Sequence, residues 1–444
     1  MIEVKGEYST ARFMTDEEEL SQSEFDQITT CVNHPVFTED PVVMPDYHYG
    51  AGCMIGLTMP LTDKVIPNIV GVDIGCNMLY VSFRRLMELN KGQWLAIDSM
   101  VRRAIPMGYK HHPRPRICME KDFQWGLSSL MASVFTSKLN NKFGTHYKAP
   151  EYNMKYFIEL CDKVKINRDV AINSLGTLGG GNHFIEFSTS KATGFTGVTL
   201  HAGSRGLGLK TANYWQKVAT EKMQGTTDED WDAVVQEIKD NNHRIKWNDM
   251  IRAAKKRTVS KPTGLEHLEG DDWFGYLMDM NFCQIYAEVN LNIMMQMILR
   301  RLNVPDTFML SRETTHTIHN YISPDDLIIR KGAIRSIEGQ RMLIPGNMED
   351  GILVCEGKSN EKWNNSAPHG AGRNFGRNEM KRRTDVNVDT IRKRMEAKGI
   401  FVSVLPKDEV KEAYKDLKFI ERVIDPTATV VDRLTPVLNL KAND

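Results

Sequence analysis

NSLGTLGGGNHFIEF, Asn173 to Phe187, carries three consecutive glycines, Gly179 to Gly181, and then an alternating run. The triplet makes a turn that admits close backbone approach, and NHFIEF alternates as a strand does. Strand geometry puts His183 and Ile185 on one face and Asn182, Phe184 and Glu186 on the other; if both sets work, such a strand divides a metal side from a second binding side. Fourteen residues after Phe187, VTLHAGSRGLG brings His201 to the end of another strand, ahead of Gly203, Ser204, Arg205 and Gly206. The expected core is therefore a sheet whose strand ends carry glycine-rich, histidine-bearing loops.

Upstream, IPNIVGVDIGCNMLYVSF, Ile66 to Phe83, reads as a strand-like apolar run with Asp73 and Cys76 embedded in it. A buried carboxylate is costly unless paired or bound to a cation. Regular strand geometry would point Asp73 and Cys76 to opposite faces, but Gly75 permits a bulge or turn that lets them converge. Carboxylate and thiolate together suit a transition metal better than magnesium or calcium; the alternative is a small buried hydrophobe beside a paired acid. In Val42 to Pro60, tight turns separate short strands, and Asp46 and His48 stand two apart, on one face of an extended chain, where they would orient a ligand or form a polar turn pair. TDEEEL opens a capped helical segment over Thr15 to Phe37.

Residues 84–170 follow a helical pattern, and 209–272 reads as a charged helical insertion or hairpin on the surface. Asp271 to Asn303 is the longest helical pattern, and its methionine and aromatic stripe reads as core. In SRETTHTIHNYI, His316 and His319 share a face if helical and not if extended; one is a candidate metal ligand, the other a core histidine. Arg330 to Gly332 and IPGNM, Ile344 to Met348, precede SAPHGAGR, where His369 stands between Pro368 and Gly370, Ala371 and Gly372, next to Arg373. Amides flanked by glycine, a guanidinium and a neutral imidazole make phosphoryl or nucleotidyl transfer through histidine the chemical reading, against that of a tight turn with a surface histidine. A helix and a last strand close the chain near Lys441.

The 444 residues contain 57 Lys and Arg against 57 Asp and Glu, so no global field draws the protein to nucleic acid or membrane, and any polyanion is gripped locally. Basic clusters lie at Arg102–Arg116, His243–Lys261 and Lys381–Lys398, and each reads first as a solvated face; the first also holds Tyr109 and two histidines, whose alternative is to lie along a phosphodiester backbone. Seven scattered cysteines without a CxxC pair are neither a disulfide framework nor a zinc ribbon. No apolar leader or membrane span is evident, so a reducing cytoplasm fits best. No Walker A loop, KxDG or paired HxT/S motif is present.

GVDIGC, LGGGNHFIEF, LHAGSRGLG, IHN, RKGA, IPGNM, HGAGR, AYKD and a lysine near the end occur in the order seen in the RtcB-type RNA-splicing ligases. The resemblance runs from about Val43 to Lys441. It implies a ligase dependent on GTP and manganese that joins an RNA 2′,3′-cyclic phosphate or 3′-phosphate end to a 5′-hydroxyl end, in tRNA splicing or RNA repair. By resemblance Asp73, Cys76, His183, His201 and His319 are ligands of two Mn²⁺ ions, with the Cys76 thiolate bridging, and His369 is the histidine that becomes guanylylated. Nucleotide contacts are implied for Asn182, His183, Phe184, Ile185, Glu186, His319, Asn320, Pro345, Gly346, Asn347, Met348, His369, Gly370, Ala371, Gly372, Tyr414 and Lys441, with Glu186 and Lys441 reading the guanine edge. Arg205, Arg373 and Arg377 are implied to hold triphosphate or RNA phosphate, and nearby arginines to keep the histidine unprotonated.

The chain departs from the family pattern at Gly376 and Asn347, at Ile352 in place of a nucleotide-touching serine, at Leu291 after Asn290, and at Asp325. These mark a divergent branch and bear on base selectivity and RNA grip. The runner-up is a metal-dependent phosphodiesterase or phosphatase acting on RNA ends without GTP; a non-catalytic RNA-binding protein is the third reading. The expected architecture is one large α+β domain over residues 1–444, a mixed sheet core flanked by helices with the 209–272 insertion projecting. A monomer is expected, with room for an activating protein.

Overall fold

A computed structural model describes residues 1–224, 263–311 and 314–443. Its larger sheet runs β10 (Thr315–Ile318), β6 (Asn77–Arg85), β8 (Thr196–Ala202), β7 (Phe184–Ser190), β18 (Ala428–Leu440), β15 (Ile352–Gly357) and β14 (Arg341–Pro345), with β17 (Phe401–Val402) parallel to β18. A second sheet runs β1 (Ile2–Lys5), β2 (Thr10–Phe13), β3 (Val42–His48), β4 (Ile55–Pro60), β12 (Ile328–Arg330) and β11 (Tyr321–Ile322), with β2 parallel to β3. Two ribbons, β5 (Lys64–Val65) with β9 (Leu268–Glu269) and β13 (Ala333–Arg335) with β16 (Ser366–Pro368), complete the strands among the described residues.

The helices are α1 (Gln22–Val32), α2 (Lys91–Ala104), α3 (Met119–Asp122), α4 (Trp125–Phe143), α5 (Met154–Lys163), α6 (Arg168–Ser174), α7 (Arg205–Gln224), α8 (Gly270–Arg301), α9 (Arg377–Arg382), α10 (Val388–Ala397) and α11 (Leu417–Val423). Mixed sheets flanked by helices make this an α+β fold, as the sequence leads one to expect. No helix among the described residues is long and apolar enough to cross a membrane.

The register of the larger sheet decides where the chemistry goes. Ile318 pairs with Asn77, Asn77 with Ala202, His201 with Phe184, and Ile185 with Leu440. Five neighbouring antiparallel strands therefore present His319, Cys76, His201, His183 and Lys441 at the same end. Because adjacent strands lie about 5 Å apart, residues distant in sequence are brought to ligand spacing without any loop having to find them.

Helix α8 is the hydrophobic spine. Its first half, with Phe282 between Phe123, Trp125, Tyr152 and Phe157, packs into one core, and Leu291, Met294, Met295, Ile298 and Leu299 pack against the larger sheet. The methionine stripe is thus core, and Leu291 belongs to it. Asn290, wholly buried in the same helix, accepts from the N–H groups of Gly176 (2.8 Å) and Thr177 (3.1 Å) and donates to Thr177 O and Gly203 O. One side chain thereby fixes the two loops that enter β7 and leave β8.

Two expectations change. Ile66–Phe83 is not one strand: Pro67–Ile69 forms a 3₁₀ turn, Gly71 and Gly75 take positive φ, and β6 begins only at Asn77. Residues 209–224 of the expected insertion form the body of α7, where Ala212, Trp215 and Ala219 are buried, and Leu265 and Leu268 are buried at its other end. Charged residues on the outer face of α7 hid its apolar stripe. Residues 225–262 of that stretch lie outside the described residues.

Candidate active site

At the shared strand end, Cys76 Sγ lies 3.2 Å from His201 Nε2 and 3.4 Å from His183 Nε2. His201 Nε2 lies 3.3 Å from His319 Nε2, and His183 Nε2 lies 2.9 Å from Asp73 Oδ2. Gly75 makes the convergence of Asp73 and Cys76 possible: its φ is +67°, and a Cβ there would stand 2.7 Å from Gln284 Cα. Ligand atoms of Cys76, His183 and His201 lie within 4.8 Å of one another, all buried.

The electrostatics fit a cation. Burial and the adjacent Asp73 push the Cys76 thiol far up, while burial and neighbouring imidazoles push His201 and His319 far down, leaving them neutral. Burial raises Asp73, but the His183 contact outweighs it and holds the carboxyl low. Neutral imidazoles, a carboxylate and a thiol that only a positive charge would ionise form a donor set suited to a transition metal.

His369 stands beside this cluster, its ring centroid 4.9 Å from that of His319. Asp46, completely buried, lies 2.6 Å through Oδ2 from His369 Nδ1 and accepts from the His369 backbone N–H at 3.1 Å. Two bonds to one carboxylate oxygen fix ring and backbone together, and the tautomer they dictate carries its proton on Nδ1 and its lone pair on Nε2. Gly372 permits this approach: its φ is +74°, and a Cβ would stand 2.3 Å from Asp46 O. His48, paired through Nδ1 with Asp46 O, is lowered to about 4 by burial and stays neutral.

A cavity of about 430 Å³ joins these groups. Asp73, Cys76, Asn182, Phe184, Glu186, His201, His319, Asn320, Pro345 to Met348, His369 to Arg373, Arg377, Tyr414 and Lys441 all line it. Asn320, left-handed at φ 56°, accepts from Gly332 N–H at 2.8 Å and donates to Asp73 O. Glu186 is buried with Oε1 unpartnered, and burial pushes its carboxyl well up. Lys441 Nζ donates to Glu409 Oε2 (2.6 Å) and Asn182 O (3.2 Å).

Glu409 had no sequence signal beyond its place five residues before Tyr414. It accepts from Lys441, from Tyr414 OH (2.7 Å), from Arg377 Nη1 (2.6 Å) and from Arg373 Nη1 (3.2 Å). Burial raises its pKa, but Lys441 and Arg377 outweigh that and bring it to about 2. Asn439, paired across the sheet with Glu186, also lines the cavity and was missed.

Several sequence expectations shift. Ile185 points into the core with Leu178, Leu200 and Leu438, not into the cavity, because the strand starts at Phe184 and alternation runs from there. His183, just before the strand, escapes that alternation and reaches Cys76. The histidine pair is extended, which leaves His316 exposed and His319 in the site. Arg373 spends Nε on Phe375 O, Nη1 on Glu409 and Nη2 on Asp408 O, so its guanidinium is held by protein acceptors. The group beside His369 is the Asp46 carboxylate, not an arginine. Arg205 donates to Thr177 Oγ1 and Gly108 O, outside the cavity lining. Ile352 does line the cavity, Asn347 turns its side chain onto its own loop at Glu349 and Asp350, and Gly376 faces open space.

Comparison with known proteins gives the family. The family profile described as "RtcB: tRNA-splicing ligase RtcB" matches residues 27–442. The chain is 26% identical over 441 residues to the RNA-splicing ligase RtcB of Escherichia coli (strain K12), covering 94% of this chain and 93% of that protein. It is 24% identical over 450 residues to the tRNA-splicing ligase RtcB of Nanoarchaeum equitans, with 92% and 89% covered, and 23% identical over 438 residues to that of Aeropyrum pernix, with 89% and 86% covered. With a profile match over nearly its whole length, the chain belongs to the tRNA-splicing ligase RtcB family.

Proposed function

We propose that the protein is an RNA ligase that joins 3′-phosphate or 2′,3′-cyclic phosphate ends to 5′-hydroxyl ends through a guanylyl-histidine, using GTP and two Mn²⁺ ions. The observation that carries this reading is His369, held by Asp46 through Nδ1, at the junction of a histidine–thiol cluster and a cavity lined by the buried Glu186 carboxyl, whose Oε1 has no partner. Asp73, Cys76, His183, His201 and His319 would hold the metal, which supplies charge neutralisation on phosphate oxygens.

The His369 Nε2 lone pair attacks the α-phosphate of GTP; a P–N bond forms, the bond to the β-phosphate oxygen breaks and pyrophosphate leaves. Asp46 accepts the Nδ1–H bond throughout and stabilises the positive ring as it forms. An RNA 3′-phosphate oxygen then takes the guanylate from His369, and the 5′-hydroxyl oxygen displaces GMP from the activated end, losing its proton and leaving a phosphodiester. A cyclic phosphate is first opened by water. Glu186 and Lys441, which line the same cavity, would meet the guanine edge.

The test supplies a 3′-phosphate RNA and a 5′-hydroxyl RNA with Mn²⁺, with and without GTP. Joined product that requires GTP supports the reading. Loss of the terminal phosphate without GTP and without joining would replace it with the phosphodiesterase or phosphatase reading. Within this scheme Asp46→Asn, which keeps the shape but favours the wrong ring tautomer, is expected to slow guanylylation about 10²- to 10⁴-fold with GTP binding little changed, measured as the single-turnover rate against GTP concentration.

A further inference from the structure

The loop from Ile105 to Cys118, between α2 and α3, plays no part in the chemistry above. No Asp or Glu lies between Asp98 and Glu120, whereas Lys110, His111, Arg114 and Arg116 all face solvent. Tyr109 among them is 98% exposed. A tyrosine ring that meets no protein neighbour contributes nothing to folding, and its large apolar faces remain available for a partner.

The loop is nevertheless rigidly placed. Leu178 N–H donates to Pro106 O (3.0 Å), Gly108 N–H to Gly179 O (2.8 Å) and His112 N–H to Asn173 O (2.9 Å). Buried His112 adds Nε2 to Gly176 O at 2.9 Å and accepts Arg116 Nε at its Nδ1. Pro106, Pro113 and Pro115 restrict the rest. Gly108, the residue before Tyr109, also accepts from Arg205 Nη2 at 2.7 Å. At Gly179 a Cβ would strike Arg205 Nη1 at 2.0 Å and His183 Nδ1 at 2.7 Å, so no side chain would fit between the loop's anchor and the metal-cluster histidine. A preformed aromatic in a carboxylate-free, cationic loop, one anchor away from His183, has the make-up of a platform for a single-stranded polyanion with π-faces.

We propose that this loop docks the single-stranded RNA whose 3′-phosphate enters the site, with Tyr109 stacked on a base near the terminus and Lys110 and Arg114 against its phosphates. The proposal rests on the RNA-ligase reading for its ligand. It assigns the 3′ strand because only that strand brings a terminal phosphate to His183 and its neighbours, which places the adjoining bases over the loop they share.

The experiment is fluorescence anisotropy of Mn²⁺-loaded protein with a short single-stranded RNA ending in a 3′-phosphate, and the same RNA ending in a 3′-hydroxyl, at fixed salt. Tyr109→Ala is expected to weaken binding of the 3′-phosphate strand about tenfold and Tyr109→Phe by less than about twofold, since stacking needs the ring and not the hydroxyl. The paired change Lys110→Gln with Arg114→Gln is expected to flatten the dependence of log affinity on log salt by about one to two. Wild-type affinity in Tyr109→Ala would overturn the proposal and leave the ring for a protein partner; an equally large Tyr109→Ala effect on the 3′-hydroxyl strand would overturn the strand assignment. Labelling by GTP carrying a labelled α-phosphate is expected to be unchanged in Tyr109→Ala. If the wild-type protein takes no label, the ligase reading fails, while the anisotropy series still decides the docking.

Discussion

His369→Ala is expected to abolish covalent labelling of the protein by GTP carrying label on its α-phosphate, to below about one thousandth of the wild-type level. The reason is chemical. Among the groups lining the cavity, His369 combines a nucleophilic nitrogen, a buried carboxylate on its other nitrogen and a place beside the metal cluster. Of the other nitrogens lining the cavity, His201 and His319 belong to the metal cluster, His48 is bonded to Asp46 O, and Lys441 donates to Glu409 at 2.6 Å. Label on the wild-type protein should be released by acid and survive alkali, as a histidine phosphoramidate does. The side chain is partly exposed, and metal retained by the variant would show that it has folded. Label retained by His369→Ala would assign the nucleophile elsewhere; no label on either protein, with metal bound, would favour hydrolysis without GTP.

Cys76→Ser is expected to remove metal binding and, with it, guanylylation. The change is nearly isosteric and keeps the short turn through Gly75, but it replaces the one soft donor between His183 and His201 with a hydroxyl that does not ionise near neutrality. Changes behind a ligand commonly cost 10- to 100-fold in metal affinity, so loss of a ligand itself should cost about 100-fold or more. Metal retained after dialysis measures this directly. Cobalt substitution adds a specific signature, because the sulfur-to-metal charge-transfer band of the wild-type protein should be missing in Cys76→Ser. A band that persists would place the metal away from Cys76.

Much of this site was legible in the chain because its chemistry sits in short motifs. Asp73 and Cys76 are separated by a glycine that must turn, Asn182 to Glu186 alternate, and His369 is framed by residues that admit a phosphate. The Asp46 and His48 pair read equally as a device for orienting a ligand and as a polar turn pair. What stayed hidden concerns neighbours distant in the chain. Ile185 is a nucleotide contact only by the resemblance; strand alternation sets it opposite Phe184 and Glu186, and the structure buries its side chain in the core. Arg373 resembled a phosphate ligand because a sequence shows a guanidinium but not the Glu409 and Asp408 acceptors that hold it.

The sequence by itself determined the donor types, the turns that free them and the family, since residue identity and glycine placement are local properties. Only the tertiary structure decided which donors meet. The antiparallel register of β10, β6, β8, β7 and β18 brings residues far apart in the chain to one end of the sheet, and Asn290 on a buried helix locks the loops between them. It likewise decided that Asp46 reaches His369 across 323 positions and that Glu409 gathers Lys441, Tyr414 and two arginines. The physical reason is that hydrogen bonds and metal–ligand contacts act over about 3 Å in space, whatever the separation along the chain.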